Sequence, residues 1–193
     1  ALTWFFPQLK DRYELSGIQA SMFAAVPLIC GALGCWVSGF WMDRLYAAGN
    51  WTRSRRAPAI AGFCFASVGI VASAHASTPL ASSLWFSLCI FGADMTLPPS
   101  WSVCVDIGRG ASGVVSGTMN MAGNMGSFVT SLAFPYLLGW TGSPLPYFYL
   151  ASVLSVVAIV MWASIDPTMP IASDQQRNLL FEMDESDESE ESA

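Results

Sequence analysis

The chain has 193 residues, of which 53% are hydrophobic and only 11% charged. A soluble domain carries about 25% charged residues, and residues 110–165 hold no Asp, Glu, Lys or Arg at all, a run that no ordinary soluble fold tolerates. The net charge of −6 is no surface property, because seven of the acids (Glu182, Asp184, Glu185, Asp187, Glu188, Glu190 and Glu191) sit in the C-terminal segment "FEMDESDESEESA".

A bilayer core takes about 20 apolar residues per helix, and the chain divides on that scale. Residues 1–8, "ALTWFFPQ", read as the last two turns of a helix that begins upstream, and the chain starts with Ala rather than Met. Residues 9–17 read as an external loop. Five spans are then expected at about 18–42, 57–76, 79–105, 111–138 and 145–165. The second begins at Pro58, tolerated in a first helical turn, and the turn "TGSP" at 141–144 separates the last two. Residues 166–193 read as a cytoplasmic, solvated acidic tail. The fold class is all-α membrane protein.

Loop charges set the orientation. Arg44, Arg53, Arg55 and Arg56 follow the first full span, Arg109 precedes the fourth, and Arg177 lies in the tail; Lys10 and Arg12 alone are on the other side. This places the 43–56 loop, the 106–109 loop and the C-terminus in the cytoplasm of a cell whose plasma (inner) membrane the chain crosses several times. The Asn50-Trp51-Thr52 sequon is then on the wrong side for glycosylation. Cys30, Cys35, Cys64, Cys89 and Cys104 all fall in apolar runs without a C-x-x-C, and are expected to be inert buried thiols. His75 stands alone at a span end. No Ser-His, His-Glu or paired-Asp set lies inside the spans, so no enzyme, catalytic residue, metal or cofactor is expected, and no nucleic-acid partner.

The third span is unusual: "FGADMTLPPSWSVCVDIGRG" combines Asp94 with the Pro98-Pro99 pair. An ionisable group inside a span is rare and faces a cavity or a partner charge. One reading has Asp94 hydrogen-bonded to backbone freed by the prolines; the other makes it a protonatable or cation-coupling carboxylate in a broken helix of the kind that forms transport sites. The fourth span repeats Gly113, Gly117, Asn120, Asn124 and Ser127 along one helical stripe. That stripe serves either close helix packing or a polar face lining a cavity, with both amides donating to a solute. Further upstream, "GFWMDR" carries Gly39, Asp43 and Arg44 as G-x-x-x-D-R, ahead of the arginine cluster. An acid there can dock on a neighbouring helix N-terminus, and the arginines can pair or anchor at headgroups.

"GFWMDR" with its arginine cluster resembles the second cytoplasmic loop motif of major facilitator superfamily transporters. "DIGRGASGVVSGTMNMAGNMGSF" is similar to the signature entering the eleventh helix of their anion:cation symporter branch, which includes sugar-acid (hexuronate, glucarate, galactonate) carriers. The two stretches cover residues 39–128. The resemblance implies the C-terminal six-helix bundle of a twelve-helix major facilitator fold, with residues 1–8 ending helix seven and the N-terminal six-helix half missing from this chain. It implies alternating access, with Asn120 and Asn124 facing the central site, Ser100 and Trp101 on the neighbouring helix, and Asp43 closing the cytoplasmic gate. The expected function is secondary transport of a small organic anion with H⁺ or Na⁺; the rival reading is a non-transporting membrane sensor or assembly module. Asp94 matches no general motif of the family, so its coupling role rests on burial. The loop from Asp43 to Arg56 is longer than the family's compact pattern.

Overall fold

A computed structural model of the chain describes residues 17–169. The readings placed on 1–8, on most of 9–17 and on the tail beyond 169 lie outside the described residues. Within them the chain forms α1 (Gly17–Ala47), α2 (Trp51–His75), α3 (Pro79–Met95), α4 (Leu97–Gly108), a 3₁₀ turn at Arg109–Ala111, α5 (Ser112–Thr141) and α6 (Leu145–Ser164), with no strand among the described residues.

Local chemistry explains the boundaries. Helix α1 carries Asp43 and Arg44 in its last turns and stops at a left-handed Gly49 (φ +79°). Asn50 N–H donates to Leu45 O at 3.0 Å and Gly49 N–H to Tyr46 O at 2.9 Å, the paired bonds of a Schellman cap. Because α2 restarts at Trp51, Arg53, Arg55 and Arg56 are helical rather than looped, and Pro58 lies inside the helix instead of in its first turn. The long 43–56 loop of the sequence reading thus shrinks to a tight turn between two helices. Thr78 caps α3, its Oγ1 accepting from Ala81 N–H at 3.2 Å, with Pro79 in the first turn. Past α6, the Asp166 carboxylate accepts from Thr168 Oγ1 (2.7 Å) and Thr168 N–H (3.0 Å). The Thr168 hydroxyl bond, first among these causes, holds Asp166 below the usual carboxylate range. The folded-state pKa is depressed, so the turn is secure at neutral pH and loses this support as acid protonates the group.

Four stretches of the described residues are long and apolar enough to cross a membrane: Ser21–Ala47, Trp51–His75, Pro79–Thr141 and Leu145–Ser164. The third has 63 residues and, if straight, would be about 95 Å long against a hydrocarbon core of about 30 Å. It is folded in two. Arg109 has φ +44°, Cys104 Sγ–H donates to Met119 Sδ at 3.3 Å, and the Gly108 backbone faces Val115. A straight helix would hold Cys104 and Met119 about 22 Å apart. Both facing pairs are centred between Ala111 and Ser112, as an antiparallel α4–α5 hairpin requires.

Helix α3 is clamped between α1 and α2. Gly62 and Gly92 are buried and lie backbone against backbone, so that a Cβ on Gly92 would collide with Gly62 O and lie 2.7 Å from Ala66 N. Such close approach is how helices associate in lipid, where burial of apolar surface gives no drive. Ala66, Ile70 and Ala74 of α2, Phe86 and Cys89 of α3, Phe134 of α5, and Tyr147 and Phe148 of α6 form the shared core. Elsewhere large apolar side chains are bare: Trp36 is 78% exposed and Trp140 87%, which suits acyl chains rather than water.

Polar ties between helices are few and specific. Ser73 Oγ–H donates to Ser82 O at 3.1 Å, Ser67 and Ser152 share a hydroxyl bond of 2.7 Å, and Arg56 Nε–H donates to Ile165 O at 2.6 Å. His75 is not alone, for its Nε2 is 2.8 Å from Tyr149 Oη. Nor are all the thiols buried: Cys89 and Cys104 are, Cys30 and Cys35 are half-buried and Cys64 is exposed, because a lipid-facing surface accepts an apolar thiol. Ser67→Ala is expected to lower stability by about 0.6 kcal/mol, the mean for interhelical hydrogen bonds in membranes, and thermal unfolding in detergent reads it.

Candidate functional site

Proline at 98 and 99 removes the two N–H groups that would serve the carbonyls of Asp94 and Met95, and the helix breaks at Thr96 between α3 and α4. Thr96 N–H turns back to Ala93 O at 3.1 Å. Its hydroxyl donates to the same oxygen at 2.7 Å, and Ser100 Oγ–H donates to Thr96 O at 2.7 Å. Side chains of α1 serve both carbonyls: Cys35 Sγ–H donates to Asp94 O at 3.4 Å, where the Thr96 N–H also reaches, and Ser38 Oγ–H donates to Met95 O at 2.6 Å. What the prolines free are acceptors, so an ionised carboxylate could not have served them; a thiol and a hydroxyl do.

The Asp94 side chain is half-buried. Its Oδ2 lies against Gly31 of α1, in space that any Cβ at position 31 would occupy. Among the described residues no donor bonds its carboxylate. Asp94 follows Pro79 by about 22 Å of helix and precedes Gly108 by about 21 Å, so it sits near mid-depth of the α3–α4 crossing. Such a carboxylate can take up a proton or meet a cation.

The α4–α5 hairpin fixes the level of the other candidates. Extending its register from Cys104–Met119 sets Ser100 level with Gly123, between Asn120 and Asn124. Ser100 is half-buried and Trp101 is 46% exposed. Asn120 and Asn124 are both exposed, and Asn124 Nδ2 donates to Asn120 O at 3.0 Å. A Cβ added at Gly113 or Gly117 would meet nothing within 4 Å and Ser127 is exposed like the two amides, so among the described residues this stripe packs on no other helix.

At the other end of α4, an ion pair joins elements that sequence reading kept apart. Arg55 Nε–H donates to Asp106 Oδ2 at 2.8 Å and Nη2–H to Asp106 Oδ1 at 3.4 Å. The Arg55 guanidinium lies 5.8 Å from the ring centroids of both Tyr46 and Trp51. Asp43 and Arg44 are exposed; Arg44 stacks over Phe40 at 4.3 Å, and among the described residues Asp43 bonds no helix N-terminus. Gly39 is half-buried with open space around its Cα. The sequence held Arg55 as one of a cluster of three and did not single out Asp106. It gave no signal that Ser38, Cys35 or Gly31 would meet the break.

Long apolar helices with large apolar side chains left bare, and a broken helix carrying a mid-depth acid, define a multi-pass membrane protein built around a polar interruption. The profile of the Major Facilitator Superfamily matches residues 1–131, and the chain belongs to that family. It is 28% identical over 178 residues to a probable sulfoacetate transporter of Cupriavidus necator, covering 91% of this chain and 41% of that protein. It is 28% identical over 144 residues to a probable galactarate/D-glucarate transporter of Escherichia coli (74% and 32% covered). Its identity to a probable galactarate/D-glucarate transporter of Bacillus subtilis is 31% over 144 residues (74% and 31% covered). The chain thus spans 31–41% of the length of these relatives.

Proposed function

We propose that this chain is the C-terminal six-helix half of a twelve-helix secondary transporter. It moves a small organic anion, a sugar acid such as glucarate, galactonate or a hexuronate, with H⁺ or Na⁺, by alternating access across the plasma (inner) membrane. It is not an enzyme. The five spans of the sequence reading and a cytoplasmic C-terminus belong to this proposal. The observation that carries it is the placement of Asp94 at a helix break near mid-depth, in a chain whose relatives are named as probable transporters of sulfoacetate and of galactarate and D-glucarate.

In this reading Asn120 and Asn124 reach the solute from α5, Ser100 and Trp101 from α4, and Asp94 binds the coupling ion. The Gly39, Asp43 and Arg44 motif meets the N-terminal bundle at the cytoplasmic gate. The Asn pair suits the substrate: carboxamides one turn apart can donate to hydroxyl or carboxylate oxygens at several positions along a polyol chain.

The test begins with the reading frame upstream of Ala1, where about six further hydrophobic spans are expected. The full-length protein in proteoliposomes is then expected to accumulate galactarate, glucarate or sulfoacetate. Asn120→Ala and Asn124→Ala should each raise KM roughly tenfold, the effect of one lost hydrogen bond to a charged group, with little change in thermal stability because both side chains are exposed. A full-length protein inert toward all organic anions under every ion gradient would leave the sensor or assembly role instead.

A further inference from the structure

In the hydrocarbon core a backbone carbonyl freed by proline needs another donor, and for the carbonyls that Pro98 and Pro99 leave open two side chains supply it. Both come from one face of α1, on successive turns: Cys35 to Asp94 O and Ser38 to Met95 O. One turn earlier on that face, Gly31 makes the space that the Asp94 carboxylate fills. Serines inside apolar helices commonly bond the carbonyl four residues back in their own helix, as Ser87 does to Ser83 O and Ser155 to Ala151 O. Ser38 reaches instead across to another helix, and it is completely buried.

We propose that Ser38 is a positioning residue for the transport site. Its hydroxyl pins the end of α3, which carries Asp94, to α1 at the point where α4, carrying Ser100 and Trp101, departs. Cys35 holds the adjacent carbonyl. Ser38 touches neither solute nor ion; it acts through Met95 O, setting where the Asp94 carboxylate lies relative to the α4 side chains. The inference rests on the transport reading above and deepens it.

Four forms of the full-length protein test it: wild type, Ser38→Ala, Pro99→Ala and the double variant. Pro99→Ala returns an N–H that can reach Met95 O, so it replaces the Ser38 donor without replacing the bend. Ser38→Ala is expected to lower the melting temperature in detergent, and the second substitution to restore most of that loss. In proteoliposomes Ser38→Ala should reduce maximal uptake roughly tenfold, the scale of the one hydrogen bond that ties α3 to α1. It should also shift the pH profile of uptake while KM changes less, and the double variant should stay impaired although its stability returns. An equal melting-temperature loss from Ser38→Ala with and without Pro99 would overturn the carbonyl assignment. Uptake and a pH profile identical to wild type in Ser38→Ala would overturn the positioning role. A wild-type protein that moves no organic anion sinks the transport reading, and the positioning role with it, while the melting-temperature cycle still decides the hydrogen bond by itself.

Discussion

Asp94→Asn in the full-length protein is expected to abolish gradient-driven accumulation of solute while leaving the protein folded. Asn keeps the shape of the side chain, so the seat against Gly31 is retained. It removes the only property that makes a mid-depth carboxylate worth its cost: the ability to change charge or to hold a cation. Stability should change by less than about 1 kcal/mol, because among the described residues no partner loses a bond. Uptake against a gradient should fall to the level of protein-free vesicles, and its pH or sodium dependence should flatten. Solute exchange with no net ion movement should survive, and that survival separates lost coupling from lost binding. Unchanged accumulation with unchanged pH and sodium dependence would remove Asp94 from the mechanism.

The second large effect falls on the Arg55–Asp106 ion pair. Both side chains are nearly enclosed, at 14% and 12% exposure, and the guanidinium offers two N–H groups to two carboxylate oxygens, the strong form of this bond. Arg55→Leu strands Asp106 in that enclosure. The expected cost is about 2–3 kcal/mol, short of the 3–5 kcal/mol of a fully buried pair because some solvent remains. Arg55→Leu with Asp106→Leu should cost less than either alone, since no charge is then stranded. Arg53→Leu, at an exposed neighbouring position, should stay within about 0.5 kcal/mol. Thermal unfolding in detergent orders the four variants, and equal effects for Arg53→Leu and Arg55→Leu would show that the pair adds nothing. The pair ties the start of α2 to the end of α4, so its loss should also loosen those two helix ends to hydrogen exchange.

The composition and the uncharged run at 110–165 were enough to establish a helical membrane chain, because only a bilayer accepts so many apolar residues without charge. The Pro98-Pro99 pair located the broken helix without any tertiary information, since a missing N–H is a property of the residue itself. Helix limits were less legible. Charged residues at 43, 44, 53, 55 and 56 suggested a loop, yet a helix can continue past the hydrocarbon into the headgroups, and only the short Schellman turn ends α1. The hairpin at Arg109 was legible as a charge between two apolar runs.

Which side chains serve the break was decided by packing alone. In water, an amphipathic period tells which face of a helix turns inward; in lipid both faces are apolar, so the sequence of α1 does not mark the face that carries Gly31, Cys35 and Ser38. The crossing at Gly62 and Gly92 helps set how α3 lies against α2, and the same packing against α1 selects Ser38 for Met95 O. The choice of Arg55 over Arg53 or Arg56 as the partner of Asp106 follows from helical phase once α2 begins at Trp51. The sequence by itself determined the solvent of this protein and the place where its backbone must be rescued; the tertiary structure decided the donors, because hydrogen-bond partners across helices depend on contacts that no local pattern encodes.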